Sequence, residues 1–276
     1  MLKKLLKYDF NAIFKYWWIG ALTTFILSFV GLACEKVIYS PKDLPDSVYV
    51  FATLGSILVF LSFAAFAFIT ALIVYLRFYK HLFSDEGYLT FTLPVKRNHI
   101  LASKLITGFV ATFLTALVTI VNGVITLAPV IKDDFLYKGW EKDFEKAVNE
   151  LVTAHGIFNL VIEGIEIVVI VLLAIVLITL FTYLCITIGC IVAKKAKLVS
   201  AIGIYYAASI VEIVFLYLLY FFGVDTFYGW MAKLPNDQEF ALIPFILLMF
   251  VLIMLLLCVV IYTLINWLID RKLNLN

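Results

Sequence analysis

Long apolar runs separated by short polar stretches are the main pattern along this chain of 276 residues. Six runs stand out, at 17–34, 50–76, 105–131, 158–192, 199–223 and 241–269. Each is long enough for a helix to cross a hydrocarbon core about 30 Å thick. Because lipid offers the backbone no hydrogen-bond partners, such runs must be helical. The pattern therefore predicts an all-α integral membrane protein, with six transmembrane helices in a single transmembrane domain, 1–276.

The composition supports this class and excludes others. Hydrophobic residues make up 64% of the chain and charged residues only 14%, whereas a soluble domain has about 25% charged residues. An ordinary cytosolic enzyme is therefore excluded. The net charge of +2 gives no basic surface for nucleic acid. We expect the lipid bilayer, and no nucleic acid, among the partners.

The few charged residues are sorted between the two faces. One side would hold both termini, the loop 77–104 and the turn between the fourth and fifth spans. It carries 14 of the 21 basic residues and four acidic ones, a net charge of +10, whereas the other side has a net charge of −5. Because basic residues accumulate on the inner side of membranes, we expect both termini to be cytoplasmic.

The first twenty residues have the pattern of an amphipathic helix. Apolar side chains recur at helical spacing, and basic side chains lie mostly opposite; the apolar set is Leu2, Leu5, Leu6, Phe10, Ile13, Phe14 and Trp17, and the basic set is Lys3, Lys4, Lys7 and Lys15. Such a helix lies in the inner membrane interface. We therefore predict an interfacial elbow helix over 1–16, which acts either as a simple anchor or as a mechanical elbow.

The outer connection 132–157 also carries helical periodicity. One stripe is apolar and the rest is charged, and Gly156 suits the end of a helix. A surface helix packed on the outer face is one interpretation of this extracellular loop. A lid over an outer opening is the other.

The cytoplasmic connection 77–104 is too apolar for a passive loop. Ser84, Asp85 and Glu86 can begin a short helix. A compact apolar surface follows and is stopped by Pro94; it consists of Tyr88, Leu89, Phe91 and Leu93. Exposed apolar patches of this kind mark interaction sites. The segment either docks onto another protein or packs on the ends of its own helices.

The sequence here resembles a known family. The N-terminal run Leu5-Leu-Lys-Tyr-Asp-Phe10 and the loop Asp85-Glu-Gly-Tyr-Leu-Thr-Phe-Thr-Leu-Pro-Val95 are similar to type-2 ABC exporter permeases of Firmicutes, and the six-helix layout extends the resemblance over the whole chain. The group includes exporters of amphipathic peptides, such as phenol-soluble-modulin exporters and lantibiotic-immunity systems. The 25-odd residues after Ile131 are longer than the family's usual outer connections.

The resemblance implies partners and a site. Two permease subunits, as a homodimer or a heterodimer, would form the path, and two copies of a cytoplasmic ABC ATPase would hold ATP and Mg²⁺. The residues from Ser84 to Leu93, here called the coupling segment, would dock onto the ATPase. Its proposed ATPase-coupling residues are Ser84, Asp85, Glu86, Gly87, Tyr88, Leu89, Phe91 and Leu93.

The chain itself lacks the motifs of an enzyme. It contains no Gly-Lys dipeptide and hence no phosphate-binding P-loop. Its three histidines fall on loops on both sides of the membrane and form no metal-binding motif. We therefore predict no catalytic residues, no metal site and no cofactor in this chain.

One acidic residue lies deep in a span. Glu212 is about 14 residues, or about 21 Å, from the cytoplasmic end of the fifth span. Tyr205 and Ser209 share its helix face. Glu212 either lines the transport path and binds cationic substrate or forms a hydrogen bond at a helix contact. By contrast, Glu163 and Glu166 lie near the outer headgroups, and we expect them to be exposed.

The sequence thus favours the permease subunit of an ATP-driven exporter of an amphipathic or hydrophobic substrate, most simply a peptide, in the bacterial plasma membrane. A secondary transporter that uses Glu212 is one alternative, although such proteins usually carry more titratable groups at the midplane and interrupted helices. A membrane scaffold or sensor subunit without transport activity is another.

Overall fold

A computed structural model describes the protein at residues 2–40, 44–84, 87, 97–132, 145–146, 148–149, 152–153, 156–193, 196–231 and 236–272. These residues form six long helices, and no strand occurs among them. The helices are α1 (Leu2–Ile38), α2 (Asp46–Phe83), α3 (Arg97–Lys132), α4 (Ile157–Val192), α5 (Lys197–Met231) and α6 (Asn236–Lys272). The all-α prediction is confirmed.

The six predicted spans each fall within one of these helices. All six helices are long and apolar enough to cross a membrane. They contain between 35 and 38 residues, which corresponds to about 55 Å at 1.5 Å per residue. Since the hydrocarbon core is about 30 Å thick, each helix must extend well beyond it.

The N-terminal segment differs in one respect from the prediction. Residues 2–38 form one continuous helix instead of an elbow helix followed by a separate span. No glycine or proline occurs between Leu2 and Ile19 to interrupt the helix. Its amphipathic division is confirmed, because Ile13 and Trp17 are buried while Lys3, Lys4, Lys7 and Lys15 are exposed. Placement in the membrane interface stays a prediction.

Backbone contacts divide the chain into two compact units. Unit 1 comprises Met1–Arg77 and Ala102–Lys146, and unit 2 comprises Phe78–Leu101 and Ala147–Asn276. The boundaries therefore fall near the end of α2 and near the start of α3. The residues that flank the coupling segment are grouped with α4, α5 and α6.

In unit 1, α1 runs parallel to α3 and antiparallel to α2. Trp17 forms a hydrogen bond with Thr115, and Thr24 forms one with Asn122. Both pairs are 98 residues apart in sequence, and a constant separation along two helices means that the helices run in the same direction. Toward α2 the order reverses: Gly20 lies against Phe66, whereas Asp9, nearer the N-terminus, pairs with Arg77. These alternating directions are those of three successive membrane crossings.

In unit 2, α4 packs against both α5 and α6. The approach to α5 is close, since a Cβ atom on Gly189 would lie 2.4 Å from the Cα atom of Ala201. The end of α2 also packs on α4: the rings of Phe78 and Tyr183 stack with centroids 3.8 Å apart and an interplanar angle of 5°. Both rings are buried. The start of the coupling segment is therefore built onto the α4 core.

Candidate functional site

A buried ionic cluster joins α1, α2 and α3 within unit 1, at the end that the charge distribution predicts to be cytoplasmic. The Asp9 Oδ1 atom accepts hydrogen bonds from Arg77 Nη2 at 3.1 Å and Arg77 Nε at 3.3 Å, and it also pairs with Lys104 Nζ. The Oδ2 atom accepts from Ser103 Oγ at 2.6 Å. We call these four residues the Asp9 cluster.

Opposing effects act on the carboxyl group of Asp9, which lies outside the predicted spans. Burial alone would raise its pKa, but the charge of Lys104, hydrogen bonds from Lys104 and Ser103, and the charge of Arg77 together lower the pKa below its usual 3.8. Asp9 is therefore anionic at neutral pH. The side chains of Asp9 and Lys104 are 5% and 7% exposed, so solvent screens their attraction weakly.

Sequence reasoning counted Asp9, Arg77 and Lys104 as charges of the inner face and missed that they come together. Asp9 is 68 and 95 residues away from the two basic partners. A signal does exist in the helical spacing, because Asp9 falls four and eight residues before the buried Ile13 and Trp17. An acidic residue in line with a buried stripe requires a buried partner.

A series of polar contacts continues along α1 and α3 inside unit 1. Trp17 Nε1 donates to Thr115 Oγ1 at 2.7 Å, and Asn122 Nδ2 donates to Thr24 Oγ1 at 3.2 Å. All four residues are at most 4% exposed. Hydrogen bonds between buried polar groups hold transmembrane helices together. This seam therefore supports the parallel pairing of α1 with α3.

The outer end of unit 1 holds a buried acid that sequence reasoning also missed. Glu35 is 6% exposed, and its Oε1 atom accepts a hydrogen bond from Ser56 Oγ at 2.5 Å. Glu35 directly follows the first predicted span, which ended at Cys34. Since α1 continues to Ile38, this glutamate lies within the helix and faces α2.

The expectation that Glu163 and Glu166 are exposed is wrong. Glu163 is buried, at 9% exposure, and Glu166 is half-buried with its Oε2 atom shielded from solvent. Glu163 lies in the second turn of α4 and Glu166 in the third. The estimate rested on distance from the cytoplasmic end alone, and depth along a helix does not say which side chains face a neighbouring element.

Only the start of the coupling segment lies within the described residues. Ser84 is half-buried, and its Oγ atom donates to the carbonyl oxygen of Lys80 at 2.5 Å. Gly87 is buried and helical, and its amide donates to the Ser84 carbonyl at 2.8 Å. The remaining predicted coupling residues fall outside the described part of the chain; they are Asp85, Glu86, Tyr88, Leu89, Phe91 and Leu93.

Gly87 makes a close backbone approach. A Cβ atom at this position would lie 2.7 Å from the carbonyl oxygen of Leu82 and 2.9 Å from its carbonyl carbon. Real Cβ atoms do not come so close to a backbone, so any other residue would displace the chain here. Glycine therefore permits the chain to turn tightly against the end of α2.

The residues of the predicted substrate path share one face of α5. Glu212 is exposed, Tyr205 is 37% exposed and Ser209 is half-buried. Three further tyrosines extend this face: Tyr206, Tyr217 and Tyr220. Together with the first three residues they span about 140° around the helix axis, at 3.6 residues per turn. The opposite arc is apolar, with Ala207, Val211, Val214 and Leu218.

The tyrosines widen the polar stripe that the sequence suggested into a polar and aromatic face, which also carries the apolar side chains of Ile202, Ile213 and Leu216. Tyr206, Tyr217 and Tyr220 are each at least 65% exposed. An angular plot of every tyrosine in the fifth span would have revealed them. A carboxyl group among phenol groups at membrane depth is costly toward lipid, and this face therefore suits water, substrate or another protein surface.

One family of known proteins matches this chain. The model of the family described as ABC-2 family transporter protein matches residues 44–144. No curated protein and no solved structure matches the chain. The matched range contains α2, the coupling segment and α3, and it therefore includes Arg77, Ser103 and Lys104 of the Asp9 cluster.

The family match and the six apolar helices agree with each other. The chain is a multi-pass protein of the bacterial plasma membrane. The ABC-2 membrane domain is a transport component and not a catalytic ATPase, and the family implies that an ABC ATPase is its partner. Residues 44–144, somewhat more than a third of the chain, are therefore similar to the membrane domain of ABC-2 family transporters.

Proposed function

We propose that this chain is the permease subunit of an ATP-driven exporter, in which two permease subunits and two copies of a separate ATPase move an amphipathic or hydrophobic substrate outward. The observation that carries the proposal is the family match, which includes the coupling segment and both helices that flank it. In this proposal ATP and Mg²⁺ bind to the ATPase subunits.

The Asp9 cluster supports a mechanical role for the flanking helices. Arg77 precedes Ser84 by seven residues, and Ser103 follows Leu93 by ten. The side chains of Arg77 and Ser103 both bond the same carboxylate of α1. Because charge-assisted hydrogen bonds are strong and directional, they fix the ends of α2 and α3 to α1 at a defined spacing. Force applied through the coupling segment would then act on firmly held helices.

The polar and aromatic face of α5 supplies the proposed substrate path. A carboxylate at membrane depth costs about 2.5–3.5 kcal/mol toward lipid, so Glu212 requires a polar neighbour. Phenol rings offer apolar area and a hydroxyl group together, which suits an amphipathic molecule. We propose that Tyr205, Ser209 and Glu212 contact the substrate and that Glu212 favours cationic groups. A peptide toxin or antimicrobial peptide has this chemistry.

The proposed cycle couples these two regions. ATP binding closes the ATPase pair, and the docked coupling segment is displaced. The displacement shifts the helices of the permease, so that the α5 face opens outward. The substrate is then released from the membrane or the cytoplasm to the outside.

Reconstitution tests the proposal against its alternatives. The chain and the ATPase that co-purifies with it would be placed in vesicles with a dansyl-labelled, Leu/Lys-rich amphipathic helical peptide. Peptide transport that requires ATP hydrolysis supports the exporter. Transport driven by a proton gradient without ATP would point to a secondary transporter through Glu212, and a partner without ATPase activity would point to a scaffold or sensor.

A further inference from the structure

Two hydrogen bonds from distant helices hold the two ends of the connection between α2 and α3, all within unit 2. Lys197 Nζ, at the first residue of α5, donates to the carbonyl oxygen of Phe83 at 3.2 Å. The Tyr262 hydroxyl of α6 donates to the carbonyl oxygen of Asn98 at 3.3 Å. Phe83 is the last residue of α2, and Asn98 is the second residue of α3. The coupling segment lies between these two bonded positions.

Both acceptors are backbone carbonyls. The last four carbonyls of a helix have no intrahelical partner, and the C-terminus of a helix carries partial negative charge that favours a cation. The Lys197 ammonium therefore suits the end of α2. Because the bond is made to the main chain, it depends on where the helix end lies and not on the side chain at position 83.

The packing around the first bond is tight. Leu82 and Phe83 are 2% and 5% exposed, and Phe78 is completely buried against Tyr183 of α4. Hydrogen bonds are electrostatically stronger in such surroundings than in water. Apolar contacts alone permit helices to slide, whereas a directional bond at their end fixes the register between them.

The same element that makes this bond carries the polar and aromatic face. Glu212 lies 15 residues after Lys197 on α5, which is continuous between them, a distance of about 22 Å along the helix axis. A displacement of the end of α2 that is passed to Lys197 therefore moves the Glu212 face as well. Tyr262 gives the start of α3 a similar connection to α6.

We infer that Lys197 and Tyr262 are positioning residues that transmit displacement of the coupling segment to α5 and α6, through their bonds to the carbonyl oxygens of Phe83 and Asn98. The inference rests on the proposed function, because it requires an ATPase that moves the coupling segment. It adds the route by which that movement reaches the face of α5. The two residues contact neither substrate nor nucleotide in this scheme.

The test uses the permease–ATPase complex in nanodiscs with Lys197→Met and Tyr262→Phe, which remove the two donors. The readouts are basal ATPase activity, its stimulation by the dansyl-labelled peptide, and nucleotide-dependent maleimide labelling of Ile213→Cys, an exposed α5 position. Labelling of the chain without this substitution gives the background. We expect Lys197→Met to reduce the nucleotide-dependent change in labelling about fivefold, as loss of one hydrogen bond predicts. Peptide stimulation should fall in parallel, and basal activity should stay within about twofold.

Conservative and control variants separate transmission from folding. Lys197→Arg keeps a cationic donor and should restore most of the labelling change. Lys3→Met and Tyr16→Phe alter exposed α1 side chains and should match the wild type. The inference is overturned if Lys197→Met and Tyr262→Phe both keep the wild-type labelling change, or if both simply prevent assembly of the complex. If instead the wild-type complex contains no ATPase, the proposed function fails, and the inference fails with it.

Discussion

Ser103 donates a hydrogen bond to Asp9 at 2.6 Å, while the neighbouring Lys104 forms an ion pair with the other oxygen of the same carboxylate. Two consecutive residues of α3 thus satisfy both oxygens of one buried acid in α1. Arg77 of α2 completes the cluster. The arrangement makes Asp9 the common acceptor for the two helices that flank the coupling segment.

Asp9→Asn should strongly destabilise the protein. The amide leaves Lys104 buried without its anionic partner, and breaking a buried ion pair costs about 3–5 kcal/mol. The midpoint of thermal unfolding in detergent should fall by roughly 6 °C or more, since 1 kcal/mol corresponds to about 2–4 °C for a chain of this size. Asp46→Asn is the matched control, because Asp46 is an exposed acid in the first turn of α2.

The lowered pKa of Asp9 determines how the difference in unfolding midpoint between wild type and Asp9→Asn depends on pH. A depressed carboxyl pKa gives stability that is present above the usual value of 3.8 and is lost as the pH falls through the lowered value. The difference in unfolding midpoint between wild type and Asp9→Asn should be constant between about pH 5 and 8 and should shrink only at more acidic pH. A difference that already shrinks near neutral pH would contradict the assigned cluster.

The bond between Trp17 and Thr115 should be measurable by a double-mutant cycle. Thr115→Val removes the acceptor with little change in shape. Trp17→Phe removes the Nε1 donor and also shortens a buried ring, and the cycle subtracts that packing loss because it occurs in both backgrounds. Hydrogen bonds between transmembrane helices contribute about 0.6 kcal/mol on average and at most about 1.7 kcal/mol, and the coupling energy should fall in this range. Trp18→Phe serves as the control, because Trp18 is 66% exposed. A coupling energy of zero would show that the bond does not hold α1 to α3.

Gly87→Ala should impair ATPase coupling more than stability. The added methyl group would meet the backbone of Leu82, and overpacking of this kind costs about 1–3 kcal/mol. We expect association with the ATPase to weaken about fivefold or more, as measured by titration in nanodiscs. Gly203→Ala is the matched control in α5, since a Cβ atom there meets nothing within 4 Å. Equal affinities for the two variants would contradict a role for the tight turn.

Glu212→Gln should reduce the stimulation of the ATPase by a cationic amphipathic peptide about tenfold. The physical reason is that loss of one desolvated charge contact costs about 1.4 kcal/mol or more. Basal ATPase activity should be retained. The measurement compares a Leu/Lys-rich peptide with a Leu/Gln-rich peptide of equal length. Only the cationic peptide should lose its effect. Val211→Gln is the control, because it places the same amide on the apolar arc of α5. Val211 is next to Glu212 in sequence, is 68% exposed and lies on the opposite side of the helix. The cationic peptide should stimulate the ATPase of this variant normally.

Periodicity was sufficient to predict the helices but not the buried polar contacts between them. The six apolar runs fall within α1 to α6, and the apolar stripe of 1–16 is buried or half-buried, because one-dimensional spacing determines which face of a helix avoids water. The continuity of α1 through Trp17 could not be predicted, since an amphipathic segment and a span can join with or without a bend.

The Asp9 cluster, Glu35 and Glu163 show where the sequence alone is insufficient. Asp9 and Glu35 have partners on other helices, so the sequence does not name those partners even where helical spacing, as for Asp9, indicates burial. Glu163 is buried although its distance along α4 predicted exposure. Asp9 sits among exposed lysines yet bonds residues 68 to 95 positions away. The coupling residues were predicted because apolar side chains in a cytoplasmic connection are unusual within a single stretch of sequence, and their role stays a prediction.

The central claim is that the coupling segment links this permease to a separate ATPase. The most direct measurement uses the combined variant Tyr88→Asp, Leu89→Asp and Phe91→Asp, purified with its partner ATPase and assayed for peptide-stimulated ATP hydrolysis. The account predicts that the variant keeps the wild-type unfolding midpoint but loses co-purification of the ATPase or its stimulation by peptide. A variant that still co-purifies with the ATPase and responds normally to peptide would contradict the account.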